Sequence, residues 1–177
     1  AQLKQRLERY LKEYPKSPTP IILMANFMMR EAYAAQKKGG TGKITPQSKV
    51  EAIRLSQIAV EFLEKNKEIG RKDFAWYTTI MGLGRILHWT PTRSDLLVEE
   101  GVKLHPYSRE IYFGGIYFHL YTDGYLNGNM EPYVRWVISL APPEEQDTLY
   151  ARLYWVAEQQ FLSYNVLRYT AANWADM

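Results

Sequence analysis

The stretch LKEYPKS, Leu11–Ser17, has a counterpart later in the chain, VKLHPYS, Val102–Ser108. Each copy passes from the apolar end of one helix through a proline to a serine, the order typical of a corner between two helices. The match continues into the next apolar segment, where Ile21 and Ile22 align with Tyr112 and Phe113, and Phe27 aligns with Phe118. Because one helix hairpin cannot bury its own apolar face, such units stack. The sequence therefore predicts an internal repeat of helix hairpins.

Apolar residues recur with helical spacing along most of the chain. Leu3, Leu7, Leu11 and Tyr14 form the first such stripe. The pattern predicts helices over residues 2–14, 18–38, 47–68, 73–88, 92–104, 108–123, 128–140 and 143–169. Alternating β-type segments are missing, so little or no sheet is expected. The predicted fold class is all-α, a short and irregular array of about four antiparallel helix hairpins.

The length of the chain predicts one helical-repeat domain over residues 1–177. Within it, residues 39–46 are interpreted as a glycine-rich loop between two helices. The last helix, 143–169, is interpreted as a capping helix, because terminal repeats need a polar outer face.

Composition excludes several classes of site. The formal net charge of +3 is small, and the charges look evenly spread, which argues against a nucleic-acid footprint. The absence of cysteine excludes disulfides, thiolate metal sites and Cys nucleophiles. The longest apolar run, Ile21–Met29, is interrupted by Asn26 and falls short of the ~20 residues that a membrane span needs. We therefore expect neither a nucleic-acid partner nor a membrane span in this chain.

The helix corners resemble those of the tetratricopeptide-repeat superfamily, in which helix hairpins cross at small residues and carry a proline after the second helix. Ala25 and Gly115 lie near such crossing positions. More narrowly, the chain resembles an uncharacterised bacterial family of tetratricopeptide-like proteins, a domain of unknown function. The residues that carry this resemblance are Tyr14–Ser17, Ala32–Tyr33, Lys38–Gly42, Ala75–Trp76, Met81–Gly84 and Val102–Pro106. The resemblance implies a right-handed superhelix, and it implies no activity or cofactor.

The stretch KGGTGKITP, residues 38–46, has the composition of a phosphate-binding loop. A Walker loop needs G-x-x-x-x-G-K-[ST] between a strand and a helix. With Gly42-Lys43 as the GK pair, the first glycine is replaced by Lys37 and the hydroxyl position holds Ile44. The preceding segment is an amphipathic helix rather than a buried strand. We interpret the stretch as a connector, with Thr45 and Pro46 opening the next helix.

Catalytic and metal-ligating patterns are also weak. His88, His105 and His119 show neither H-x-x-x-H nor H-E-x-x-H spacing, and the interpretation as corner, packing or surface histidines is favoured. The adjacent pair Glu144 and Glu145 is expected to complement the dipole of the helix that it opens. No nucleophile elbow occurs in the sequence. The expected cofactor and metal content is none.

The tetratricopeptide resemblance implies a concave groove lined by the first helix of each hairpin. Placed by the proline corners, the groove residues are Asn26, Arg30, Tyr77, Met81, Arg85, Tyr117, Tyr121, Tyr150 and Tyr154. Tyr, Met and Arg are enriched at binding hot spots. The alternative is that the tyrosines pack between hairpins, and side-chain exposure separates the two interpretations.

The leading hypothesis is a non-enzymatic module that binds a protein or peptide partner in this groove. The alternative is an α-helical enzyme or small-ligand binder whose site forms only in three dimensions, with Arg85, His88 and a glutamate as the first residues to check. A third hypothesis is an accessory region of a larger protein, because the chain does not begin with Met. The sequence leaves partner, oligomeric state and compartment open, the last between bacterial cytoplasm and periplasm.

Overall fold

The computed structural model describes residues 2–37, 44–122, 125–126, 129–162 and 166–172, and over these ranges the protein is all-α. The helices are α1 (Gln2–Glu13), α2 (Pro18–Lys37), α3 (Pro46–Lys65), α4 (Lys67–Gly70), α5 (Ala75–Ile86), α6 (Pro91–Leu104), α7 (Arg109–Gly114), α8 (Ile116–Leu120), α9 (Glu131–Leu140), α10 (Pro143–Ala157) and α11 (Val166–Tyr169). A minimal antiparallel ladder joins β1 (Tyr121–Thr122) to β2 (Tyr125–Leu126). The chain divides into two compact units, Ala1–Leu87 and His88–Met177.

The first unit is built around α2. This helix packs along α3 and also contacts α1, α4 and α5. Its core includes Trp76, Tyr77 and Leu63, all without solvent exposure. The Trp76 indole donates a hydrogen bond of 3.1 Å to the Leu63 carbonyl, which ties α5 to the end of α3.

The second unit pairs α6 with α7 and α9 with α10, while α10 also contacts α7 and α8. Two bridges join the start of α7 to the start of α10. Arg109 makes two 2.7 Å hydrogen bonds to the Glu145 carboxylate, and the Tyr107 hydroxyl donates to Glu144 at 2.8 Å. The two glutamates at the start of α10 therefore bond to residues at the start of α7, in addition to their favourable interaction with the dipole of α10.

The two helix corners, Leu11–Ser17 and Val102–Ser108, share one pattern of backbone hydrogen bonds. In the first, the Tyr14 N–H donates to Tyr10 and the Ser17 N–H donates to Tyr14, at 3.0 and 3.1 Å. In the second, the His105 N–H donates to Gly101 and the Ser108 N–H donates to His105, at 2.8 and 3.0 Å. The aligned residues thus make the same bonds, which supports the alignment of these two corners at the level of local geometry.

Most predicted helices appear with bounds close to those expected, but three are interrupted. The predicted helix 47–68 breaks at Asn66, between α3 and α4. The predicted helix 108–123 is divided into α7 and α8 at Gly115, and it ends at Leu120 where β1 begins. The predicted capping helix 143–169 is not one α-helix. It leaves α geometry after Ala157 and continues as a π-helical segment, Glu158–Leu162. Just after α5, His88 has a left-handed backbone conformation, with a φ of 51°.

The glycine-rich loop lies largely outside the described residues, which resume at Ile44. Thr45 caps α3 as predicted. Its hydroxyl accepts from the Ser48 N–H at 3.1 Å, while the Ser48 hydroxyl accepts from the Thr45 N–H at 2.9 Å. Ser48 also donates to the Gln36 carbonyl at 3.0 Å, so the start of α3 is bonded to the end of α2.

Among the helices that the structure describes, none is long and apolar enough to cross a membrane. The single repeat domain over residues 1–177 and the right-handed superhelical arrangement of its hairpins both stay predictions.

Candidate functional site

The nine predicted groove residues differ sharply in exposure. Tyr77 and Met81 on α5 are fully buried, and Tyr150 and Tyr154 on α10 are 3% and 1% exposed. These four side chains offer almost no surface to a partner. For them, the alternative interpretation of packing inside the fold describes the structure. Periodicity had placed them on one helix face, but it could not show that the same face is covered by the protein itself.

The two tyrosines of α10 are held by a carboxylate on α9. Both hydroxyls donate to Glu131, that of Tyr150 at 3.1 Å. Arg135 donates to the same carboxylate at 2.7 Å and stacks over the Tyr150 ring at 4.6 Å. Burial, reinforced by the bond to Glu131, raises the pKa of Tyr154. This cluster joins α9 to α10 and leaves these hydroxyls engaged inside the protein.

Tyr117 and Tyr121, two residues of the predicted groove, stack on each other. Their ring centroids lie 4.9 Å apart with an interplanar angle of 27°, and both side chains are half-buried. Phe161, on the π-helical segment, packs against both rings. The Tyr121 hydroxyl donates to the Phe161 carbonyl at 3.3 Å. The pair is therefore partly covered by its own unit.

Three predicted residues remain in the first unit. Arg85, on α5, is partly buried. Asn26 and Arg30 lie one turn apart on α2, and both line a cleft of about 490 Å³ between α1 and α2. We call this feature the α1–α2 cleft. Its lining residues are Leu3, Leu7, Leu23, Asn26, Phe27, Arg30, Glu31 and Ala34.

The α1–α2 cleft presents apolar side chains to solvent. Leu3 is 54% exposed and Leu23 is 44% exposed, although both belong to stripes that pack one helix on another. Leu7, at 8% exposure, is the α1 residue that is buried. The stripe of α1 is thus covered at its middle and open on one side. The sequence had marked Leu3 and Leu7 as helix-packing residues, and the remaining exposure of Leu3 could not be inferred from spacing.

Polar groups in the α1–α2 cleft are available for binding. Within the part of the chain that the structure describes, the side chains of Asn26 and Arg30 make no hydrogen bond or ion pair. Residues one helical turn apart face the same way, so the amide and the guanidinium stand on one side of α2. Glu31, the next residue, also lines the cleft and brings one carboxylate. The cleft can therefore offer hydrogen-bond donors beside apolar surface.

Two other clefts lie in the first unit. One, of about 500 Å³, opens beside the start of α3, and three of its polar side chains are engaged in bonds within the protein. Thr45 and Ser48 cap α3, and Glu51 holds Arg54 at 2.7 and 2.8 Å. The other, of about 420 Å³, is lined by residues of α1, α2 and α3, among them Met24, Met28 and Ile58. Lys4, Glu8 and Glu31 also line this third cleft, whereas the α1–α2 cleft combines an amide and a guanidinium with the exposed side chains of Leu3 and Leu23.

Titratable side chains line these clefts, but few of them have a shifted pKa. Of the groups whose pKa is shifted, Arg54 lines a cleft, and the bond to Glu51 raises its pKa. In the second unit, His119 lies 2.8 Å from the Asp95 carboxylate and stacks on Tyr133 with 4.4 Å between ring centroids. Burial raises the pKa of Tyr133. No set of three His, Cys, Asp or Glu side chains among the described residues could hold a metal ion.

Charge is unevenly divided along the chain, which corrects the expectation of an even spread. Residues 1–87 contain 16 Lys and Arg against 8 Asp and Glu, a formal net charge of +8. Residues 88–177 contain 6 Lys and Arg against 11 Asp and Glu, a formal net charge of −5. The small total of +3 conceals this difference. The unit that holds the α1–α2 cleft is therefore strongly basic.

Comparison with known proteins adds no family or relative, because neither protein-family models, nor curated proteins, nor solved structures give a match to this chain.

Proposed function

We propose that this chain is a non-enzymatic interaction module that binds a segment of a protein or peptide partner in the α1–α2 cleft. The observation that carries the proposal is the composition of that cleft. Leu3 and Leu23 are exposed beside an amide and a guanidinium that make no bond to another described residue. Exposed leucines next to unengaged donors are typical of a surface that is covered on binding.

The proposal differs from the sequence-based groove in its location. It retains Asn26 and Arg30, and it replaces the buried tyrosines with the leucines and Phe27 that surround them. Burying one such apolar side chain on binding contributes roughly 1 to 2 kcal/mol when about half of its surface is already covered. Several side chains of this kind suffice for micromolar affinity after the entropic cost of association is subtracted.

A displayed peptide library, panned on the purified chain, tests the proposal. We expect selected peptides to bind with Kd values near the micromolar range and to lose about tenfold in affinity on Leu23→Ser. The matched control is Val50→Ser, because Val50 is 67% exposed on α3 and does not line the cleft. Fluorescence anisotropy with labelled peptides provides the measurement.

Failure has a clear form. If panning enriches no peptide above an unrelated helical protein, the binding proposal is wrong. If the selected peptides bind equally to the Leu23→Ser and Val50→Ser variants, the α1–α2 cleft is not the site. In that event the enzyme or small-ligand hypothesis, which no observation favours at present, would be the next one to test.

A further inference from the structure

We infer that the segment bound in the α1–α2 cleft is an acidic amphipathic helix of the partner protein. This inference rests on the proposed function and specifies the chemistry of the ligand. It follows from the scarcity of hydrogen-bonding groups in the cleft, from the spacing of its apolar side chains, and from the charge of the first unit.

The cleft is poorly equipped to hold an extended peptide. An extended chain brings unpaired backbone N–H and C=O groups, which need partners when they are buried. The polar side chains that line the cleft are those of Asn26, Arg30 and Glu31. The cleft walls belong to two helices, whose backbone groups beyond the first turn of α1 are bonded internally. A helical ligand satisfies its backbone within itself, so it needs few polar groups from the cleft.

The apolar side chains of the cleft repeat once per helical turn. Leu3 and Leu7 are four residues apart on α1, and Leu23 and Phe27 are four residues apart on α2. Each pair therefore forms a ridge of two side chains about 6 Å apart along its helix. A ligand helix with apolar residues at i, i+3 or i+4, and i+7 fits between such ridges. The bound ligand helix would then pack against both α1 and α2.

The positive charges at the cleft and across the first unit favour an acidic ligand. Arg30 is exposed at the cleft and makes no ion pair with a described residue. Arg6 is exposed three residues after Leu3, which places it on the same side of α1. The whole first unit has a formal net charge of +8, so its long-range field attracts acidic segments. Glu31 opposes this locally, and its removal should strengthen binding of an acidic ligand.

Three synthetic helical peptides test the inference. They share one pattern of leucines at i, i+4 and i+7, and their flanking positions carry Glu, Gln or Lys. Binding to the full chain is measured by fluorescence anisotropy. We expect the Glu peptide to bind about tenfold more tightly than the Gln peptide and the Lys peptide to bind most weakly. The preference should shrink as salt is raised, because exposed charges are screened.

Local recognition is separated from general attraction by a matched pair of variants. Arg30→Gln and Lys49→Gln each remove one positive charge from the same unit, but Lys49 does not line the cleft. We expect Arg30→Gln to weaken the Glu peptide about fivefold and to leave the Gln peptide nearly unchanged. Lys49→Gln should change neither by more than about twofold. Glu31→Gln should strengthen the Glu peptide about twofold to threefold.

The outcomes distinguish this inference from the proposed function. If the Glu and Gln peptides bind equally, and Leu23→Ser weakens both, the cleft binds peptides but not acidic ones, and the inference is overturned alone. If Arg30→Gln and Lys49→Gln weaken the Glu peptide equally, the attraction is general and the inference is also overturned. The same holds if a duplex oligonucleotide displaces the Glu peptide equally well from the unmodified chain and from the Leu23→Ser variant. If none of the three peptides binds, the proposed function fails with it.

Discussion

At the scale of single residues, Gly115 shows how one small residue permits a close packing contact. The Tyr133 side chain lies directly over Gly115, and its hydroxyl donates to the Tyr112 carbonyl beside it. A Cβ at position 115 would overlap the Tyr133 hydroxyl and lie only 2.7 Å from its Cε2 atom. The Tyr133 ring is 2% exposed and is stacked on His119, so it has little room to move. Gly115 is therefore required by packing rather than by backbone conformation.

We predict that Gly115→Ala destabilises the protein by about 1 to 3 kcal/mol, because the added methyl group must displace a rigid, buried ring. The matched control is Gly82→Ala on α5. There the new Cβ would meet the Met29 sulfur at 3.0 Å, the end of a flexible side chain that can shift. Helix propensity favours alanine by about 1 kcal/mol, so this control should be neutral or stabilising. Urea unfolding monitored by circular dichroism measures both, and equal stability of the two variants would contradict the packing argument.

At the scale of elements, helix bounds could be predicted well because they depend on local signals. Proline at the start of α6 and Thr45 before α3 are such signals, and both elements begin within one residue of the predicted position. The interruption at Gly115 and the π-helical segment, Glu158–Leu162, could not be predicted in this way. At Gly115, the hydroxyl of Tyr133 donates to the neighbouring Tyr112 carbonyl, and propensity does not record a contact between residues so distant in sequence.

The candidate site was predicted only in part, for a related reason. Helical spacing groups side chains on one face, but it does not show what covers that face. Asn26 and Arg30 of the predicted groove line the α1–α2 cleft, whereas Tyr77 and Tyr154 lie on faces that other helices of their own unit cover. The exposed Leu23 was missed because an apolar residue in a helical stripe is normally assigned to the core.

The packing of α1 predicts low local stability. Leu7 is the α1 residue that is buried, and α1 packs principally on α2. We expect amide hydrogens of α1 to exchange at least tenfold faster than those of α2, as is typical of elements with few buried contacts. Hydrogen exchange read by mass spectrometry provides the measurement. Leu7→Ala should accelerate exchange in α1 while leaving α3 unchanged, and protection of α1 equal to that of α2 would contradict the prediction.

The bridge between α7 and α10 predicts a dependence of stability on pH. The hydrogen bonds from Arg109 lower the pKa of Glu145 below the ordinary value of a glutamate. A carboxyl group whose pKa is lower in the folded state stabilises the protein above its unfolded pKa, and this contribution is lost as pH falls through the lowered value. We expect the urea midpoint to fall on acidification from about pH 7 to about pH 3, and Glu145→Gln to reduce both the midpoint at pH 7 and the size of that fall.

The control for this titration is Glu64→Gln, which removes an exposed carboxylate from α3 and leaves the Arg109 bridge intact. It should leave the difference between the midpoints at the two pH values almost unchanged. If Glu145→Gln and Glu64→Gln reduce the acid sensitivity equally, the bridge between α7 and α10 does not account for it.

At the scale of the whole molecule, the chain consists of two units with opposite charge and separate cores. In the first, Leu63, Trp76 and Ile80 are fully buried, and in the second, Ile116 and Val134 are. A unit with its own core can in principle fold alone. The formal net charges of +8 and −5 mean that the first unit attracts acidic segments and the second repels them.

We predict that residues 1–87 and residues 88–177, expressed separately, each fold into helical units that unfold cooperatively in urea. Each fragment retains the helices that pack on one another within its unit, so its core is preserved. At about pH 7 the first fragment should bind a cation exchanger and the second an anion exchanger, according to their net charges. Circular dichroism measures the folding.

If fragment 1–87 folds, it should also bind the Glu peptide within about twofold of the full chain, because every residue of the α1–α2 cleft lies within it. A helical fragment 1–87 without such binding would show that the second unit is needed for recognition, and an unfolded fragment would show that its core is insufficient alone.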